Sequence, residues 1–184
     1  MKTWLFFLNG AFLAGCASTT VTHSPSPQAP VCDRTATALV LWAPQWRVDQ
    51  KDIADREAAA GLRTFLEHSS CFAHSELRRV ASLDRSSVSA LAASDVAQFE
   101  KGVVIGVREL GPVVKLLSSA ALVEGGTEVV LHIAVHSSPQ VDQPREFTVH
   151  WQQGGPGVIK GVAGLSGDMQ SALRAGLQPS GTVR

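Results

Sequence analysis

The chain has 184 residues, 45% of them hydrophobic and 17% charged, which suffices for one packed domain and excludes disorder throughout. Lysine and arginine total 16 against 16 aspartates and glutamates, so a broad basic surface for nucleic acid is not expected. Tyrosine is absent and aromatics make up 6%, which leaves little for a base-stacking platform. No nucleic-acid partner is expected.

Residues 1–15 place Lys2 ahead of an apolar stretch of about ten residues. This is the length of a secretory signal, well short of the roughly 20 residues a spanning helix needs. The stretch closes on Leu13-Ala14-Gly15-Cys16. That tetrad resembles the bacterial lipobox, in which small residues fit the signal peptidase and the cysteine thiol receives a diacylglyceryl group. The resemblance implies cleavage before Cys16, lipidation of Cys16, and attachment to the bacterial membrane through acyl chains. Ala17, rather than an aspartate, follows the cysteine. In lipoproteins this implies the outer membrane, with the domain facing the periplasm.

Residues 16–31 set Pro25, Pro27 and Pro30 among Ser and Thr with no periodic apolar face. They read as the lipidated cysteine and a semi-extended tether reaching roughly 45 Å. With Cys16 assigned to lipid, Cys32 and Cys71 are an even pair in an exported chain, which favours a disulfide. The elements that follow put both cysteines just before strands joined by a helix, and the starts of two such strands lie at one end of a sheet. No CxxC spacing supports a metal or redox role instead.

Residues 36–43 are a short apolar run stopped by Pro44, the pattern of a buried strand. From Asp49 or Asp52 to Glu67, the recurrence of Ala58, Leu62, Phe65 and Leu66 predicts a helix. A second strand is expected over 71–81 and a weaker helix over 84–98. Val103, Val104, Ile105 and Val107 form a third strand. The alternation of Val129, Leu131, Ile133 and Val135, and of Phe147, Val149 and Trp151, predicts a long antiparallel hairpin. Val158 to Val162 reads as a further strand. Leu165, Met169, Leu173 and Leu177 define a closing helix with Ser166 as its cap. The order β-α-β-α-β-β-β-α over residues 32–178 gives an α+β domain, a mixed sheet with helices mainly on one face, before a flexible tail over 179–184.

Behind a lipobox, this order resembles the envelope lipoproteins of the TolB amino-terminal-like fold, and among them the ABC-type transport auxiliary lipoproteins. The likeness rests on the run Leu39 to Pro44 and the helix after it, on residues 102–110 and 126–134, and on residues 167–177. It implies an accessory subunit of an envelope transport assembly.

No cofactor or catalytic motif stands out. His132 and His136 alternate against the apolar face of their strand, as His150 does in the next. With the hairpin centred near Val141, His132 and His150 become cross-strand neighbours, but a metal would need a third ligand, and the plainer expectation is a solvated face. Ser166 is not in a Gly-x-Ser-x-Gly elbow, and Gly154-Gly155-Pro156-Gly157 lacks the lysine of a phosphate loop. That stretch and Gly125-Gly126 read as turns, and Asp168 suits a helix start. Pro112 to Val123 is apolar apart from Lys115 and reads as either a buried strand or an exposed docking segment.

Trp42 and Trp46 flank Pro44 at a strand end and are the expected partner contacts. The functional expectation is a non-enzymatic, membrane-anchored accessory subunit with envelope protein partners. The alternatives are a regulator of a cell-wall synthase, or a small lipid- or metal-binding module.

Overall fold

The computed structural model describes residues 17–46, 51–83, 99–117, 122–137 and 140–178. The fold class is α+β, as the sequence predicts. Strands β1 (Ser18–Ser24), β2 (Asp33–Pro44), β3 (Phe72–Arg79), β4 (Lys101–Leu117), β5 (Leu122–Ser137) and β6 (Gln140–Pro156) join helices α1 (Lys51–His68) and α2 (Leu165–Leu177). One sheet holds all six strands in the order β1-β6-β5-β4-β2-β3. β2 runs parallel to β3 and β4, and the β4-β5, β5-β6 and β6-β1 pairs are antiparallel.

β2 lies between β3 and β4 and is apolar on both faces, which is why residues 38–43 form an unbroken hydrophobic run. Ala38, Val40 and Trp42 join the main core with α1 and α2, while Leu39 and Leu41 meet Phe99, Val104 and Ala134 on the reverse face. α1 contributes Ala58, Leu62 and Phe65 to the main core, and α2 contributes Leu165, Met169, Leu173 and Leu177. The two helices cross closely at Gly61, where an added Cβ would lie 2.7 Å from the Cβ of Met169 and 2.8 Å from the Ser166 carbonyl oxygen. Only glycine allows that approach.

Four expectations need correction. The tether expected over 16–31 contains strand β1, paired with β6 from Ser18↔Gly154 to Ser24↔Thr148. Thr19, Thr20, Val21 and Thr22 are β-branched and suit an edge strand, which needs no buried alternation. The chain after it is held as well: Arg145 donates to the Ala29 carbonyl at 2.9 Å, and the Val31 and Cys32 amides donate to the Leu177 carbonyl. Val158 to Val162 is not a strand; it leads into a short 3-10 turn at Val162–Gly164. Ser166 does not cap α2, whose N-cap is Gly164.

The fourth correction concerns glycine. Gly125, Gly126, Gly154 and Gly155 are buried strand residues rather than turns. A Cβ at Gly126 or Gly154 would collide with the facing backbone, and one at Gly125 would collide with the Val158 carbonyl. Here glycine marks a close backbone approach. The turn itself falls on Gly157, at φ +72°. The helix expected over 84–98 lies outside the described residues.

Candidate functional site

β2, β4 and β6 end, and β1 and β5 begin, at one end of the sheet, here called the upper end. β4 and β5 run past β2 and β3 there, and β6 accompanies β5 as far as Pro156. β2 pairs with β4 only as far as Pro44↔Val107, and a bulge at Arg108 then re-aims β4. Beyond it, β4 continues as an arm paired with β5 to Leu117↔Leu122, with β6 on the far side of β5 as far as Glu124↔Pro156. Pro112 to Leu117 is therefore strand, yet Val114 is 67% exposed, so this part is neither the buried strand nor the loop the composition offered.

Between this arm and the helices lies a groove of about 560 Å³. Leu110, Pro112 and Val114 form its arm side, Ile53 lies at the start of α1, and Val162 and Leu165 lie at the start of α2. Arg108, Glu109 and Glu128 give it charged lips. Trp46 lines the same groove.

The two candidate tryptophans part company. Trp46 is half-buried and donates its indole N–H to the Asp55 carboxylate at 2.9 Å. Asp55 also pairs with Arg79, whose guanidinium lies over the Trp42 ring at 5.5 Å from its centroid. Trp42 itself is 3% exposed and packed in the core, so it is withdrawn as a partner contact. Its strand parity with Ala38 and Val40 points it inward. Asp55, nine residues beyond Trp46, is the residue sequence reasoning missed. Its signal is an acid in the first turns of a helix, which also fits the ordinary dipole reading.

The histidines do not converge. In the observed register His132 faces Thr148 and His150 faces Val130, so the two are diagonal rather than opposite. Each turns to a carboxylate: His150 to Glu128, and His132 to Glu146 at 3.9 Å. Among the described residues no group of three or more His, Cys, Asp or Glu side chains could hold a metal.

Asp168, at the start of α2, is nearly buried and accepts both 2.9 Å and 3.1 Å contacts from the Lys160 ammonium. Lys160 also reaches Gln153 and sits 6.0 Å from the Trp151 ring centroid. This clasp fixes the 158–164 segment against β6, beside the groove. Nearby Thr127 is fully buried, and its hydroxyl has no hydrogen-bond partner among the described residues.

Cys32 and Cys71 form a disulfide at the opposite, lower end, with their α-carbons 4.6 Å apart. They immediately precede β2 and β3, whose first pair is Asp33↔Phe72. Asp33 accepts from the backbone and hydroxyl of Thr35 and pairs with Lys101 at 3.2 Å. These contacts lower its pKa from 3.8 to about 2, the Thr35 hydrogen bonds weighing most. Cys16 lies outside the described residues.

No protein-family model matches the chain, and no curated protein matches it. Among solved structures it is similar to the PelC dodecamer of Paraburkholderia phytofirmans at 14% identity and a TM-score of 0.45, covering 85% of this chain and 95% of that one. It is also similar to lipoprotein GNA1162 of Neisseria meningitidis at 14% identity and a TM-score of 0.42, covering 79% and 99% respectively. At these identities and TM-scores the likenesses carry no argument about function.

Proposed function

We propose that the protein is a membrane-anchored envelope lipoprotein that acts without catalysis, as an accessory or docking subunit of a transport or secretion assembly. Lipidation at Cys16, implied by the lipobox, confines it to a membrane surface and raises its local concentration there. The absence of aspartate at Ala17 favours the outer membrane.

One observation carries the docking part. On the flank away from β5, β4 has no strand partner among the described residues from Glu109 to Leu117, and this open edge borders the apolar groove containing Trp46. An extended segment of an envelope protein would pair its backbone with that edge and set side chains into the groove. Trp46 is the contact residue, held in place by Asp55.

Crosslinking in intact cells, followed by affinity capture and mass spectrometry, tests this reading. Enrichment of the components of one envelope machine, weakened by Trp46→Ala, supports it. Capture of cell-wall synthases instead transfers the protein to the alternative regulatory role. Capture of bulk outer-membrane proteins alone, unchanged by Trp46→Ala, removes the docking reading.

A further inference from the structure

The start of β1 sets where the domain stands relative to its anchor. Only Ala17 separates Cys16 from Ser18, the first residue of the strand. Two Cα–Cα steps of about 3.8 Å place Ser18 within roughly 8 Å of the Cys16 α-carbon. The headgroup layer on each side of a bilayer is itself only roughly 5–8 Å deep. A domain so attached cannot hang from a flexible spacer, and the end of the sheet at Ser18 must sit at the lipid surface.

The same end carries the exposed apolar side chains. Of the five large hydrophobic residues exposed among the described residues, four lie there: Ile159 at 91%, Val114 at 67%, Ile53 at 40% and Val162 at 39%. Register places them near the anchor. Ser18 pairs with Gly154, Gly155 with Gly125, and Gly125 with Val114, so β1 and the arm lie three strand spacings of about 4.8 Å apart. Val158 and Ile159 fold back over Gly125 after the turn at Gly157, within this row. Exposed aliphatic side chains scattered over a surface mean little, but these gather where the acyl chains would enter the membrane. The lower end has the disulfide and none of these five residues.

We infer that the upper end, with Ile159 at its tip and Val114, Val162 and Ile53 around it, is a lipid-contacting surface that seats the domain upright on the bilayer. This rests on the lipidation reading and adds an orientation to it. The groove and the open edge of β4 then face the membrane-proximal space, where the matching partner segment is one emerging from the bilayer.

The test uses the full-length lipidated protein in phosphatidylethanolamine–phosphatidylglycerol vesicles containing doxyl-labelled lipid. Ile159→Cys and Ser137→Cys are each labelled with bimane; Ser137 is exposed at the lower end. Mass spectrometry of the amino-terminal peptide reads acylation of Cys16 separately. The expected result is an acylated Cys16 and lipid quenching several-fold stronger at position 159 than at 137. Acylation with equal quenching, or stronger quenching at 137, overturns the orientation and leaves the anchor standing. A Cys16 without acyl chains overturns both. Val114→Cys, labelled in the same way, guards against a local fault at position 159 and is expected to follow it.

Discussion

The Trp46 indole N–H donates to the Asp55 carboxylate at 2.9 Å, and the same carboxylate pairs with the Arg79 guanidinium stacked over Trp42. Asp55 therefore ties the end of β2, the start of α1 and the end of β3 together at the edge of the groove. Asp55→Ala strands the indole donor and frees Arg79, and the expected loss is about 1–2 kcal/mol in urea unfolding. Asp55→Asn keeps an acceptor for Trp46 and should lose less. Equal losses in the two variants would show that the indole bond contributes nothing.

Thr127 gives the opposite sign. Its buried hydroxyl has no partner among the described residues, so the folded state carries a desolvation penalty that valine, similar in shape, avoids. Thr127→Val is expected to raise stability by about 1 kcal/mol in chemical denaturation. A destabilised variant would mean that the hydroxyl does have a partner.

The disulfide closes a segment with a sequence separation of 39. On the chain-entropy relation this stabilises the fold by about 4 kcal/mol. Cys32→Ser combined with Cys71→Ser should lower the unfolding free energy by roughly that amount. Unfolding that is insensitive to reductant would contradict the pairing.

Two glycines make a matched pair. Gly61→Ala drives a methyl group against Met169 and the Ser166 carbonyl, and is expected to cost about 1–3 kcal/mol despite alanine's higher helix propensity. A Cβ at Gly111 meets nothing within 4 Å, so Gly111→Ala should be nearly neutral. Thermal melts of the two variants should separate clearly, and indistinguishable melts would refute the close helix crossing.

Asp33 sets an acid limit. Its pKa lies at about 2 in the fold against an ordinary 3.8, so the unfolded chain binds its proton first as pH falls. The stabilisation is complete above pH 3.8 and is lost as pH drops towards about 2. Asp33→Ala should narrow the gap between urea midpoints at neutral and acid pH. A variant with the same acid dependence as the wild type would rule Asp33 out as the source.

The elements with a strong apolar period were legible. β2 follows from its unbroken apolar run, β5 and β6 from buried residues recurring every two residues, and α1 and α2 from buried residues recurring every three to four. Trp42 was misread as a partner contact, although it shares parity with Ala38 and Val40 and so faces inward. β1 was not legible: its edge position leaves Ser18 to Thr22 exposed, and Ser/Thr composition suits a linker equally well. The hairpin register missed by a small step. A centre near Val141 pairs His132 with His150, whereas the observed pairing sets His132 against Thr148. The groove depends on contacts between residues far apart in the chain, from Trp46 and Ile53 to Pro112 and Val162, which no local pattern announces.

β1 joins the sheet through β6 alone, across a sequence separation of 136 from Ser18 to Gly154. Closing so long a loop costs entropy that a single edge pairing cannot offset before the other strands are in place. The first strand therefore waits for the last, and the flank of β6 stays open to foreign strands for that interval. Assembly thus ends with the chain's earliest strand, which closes the outer edge of the sheet.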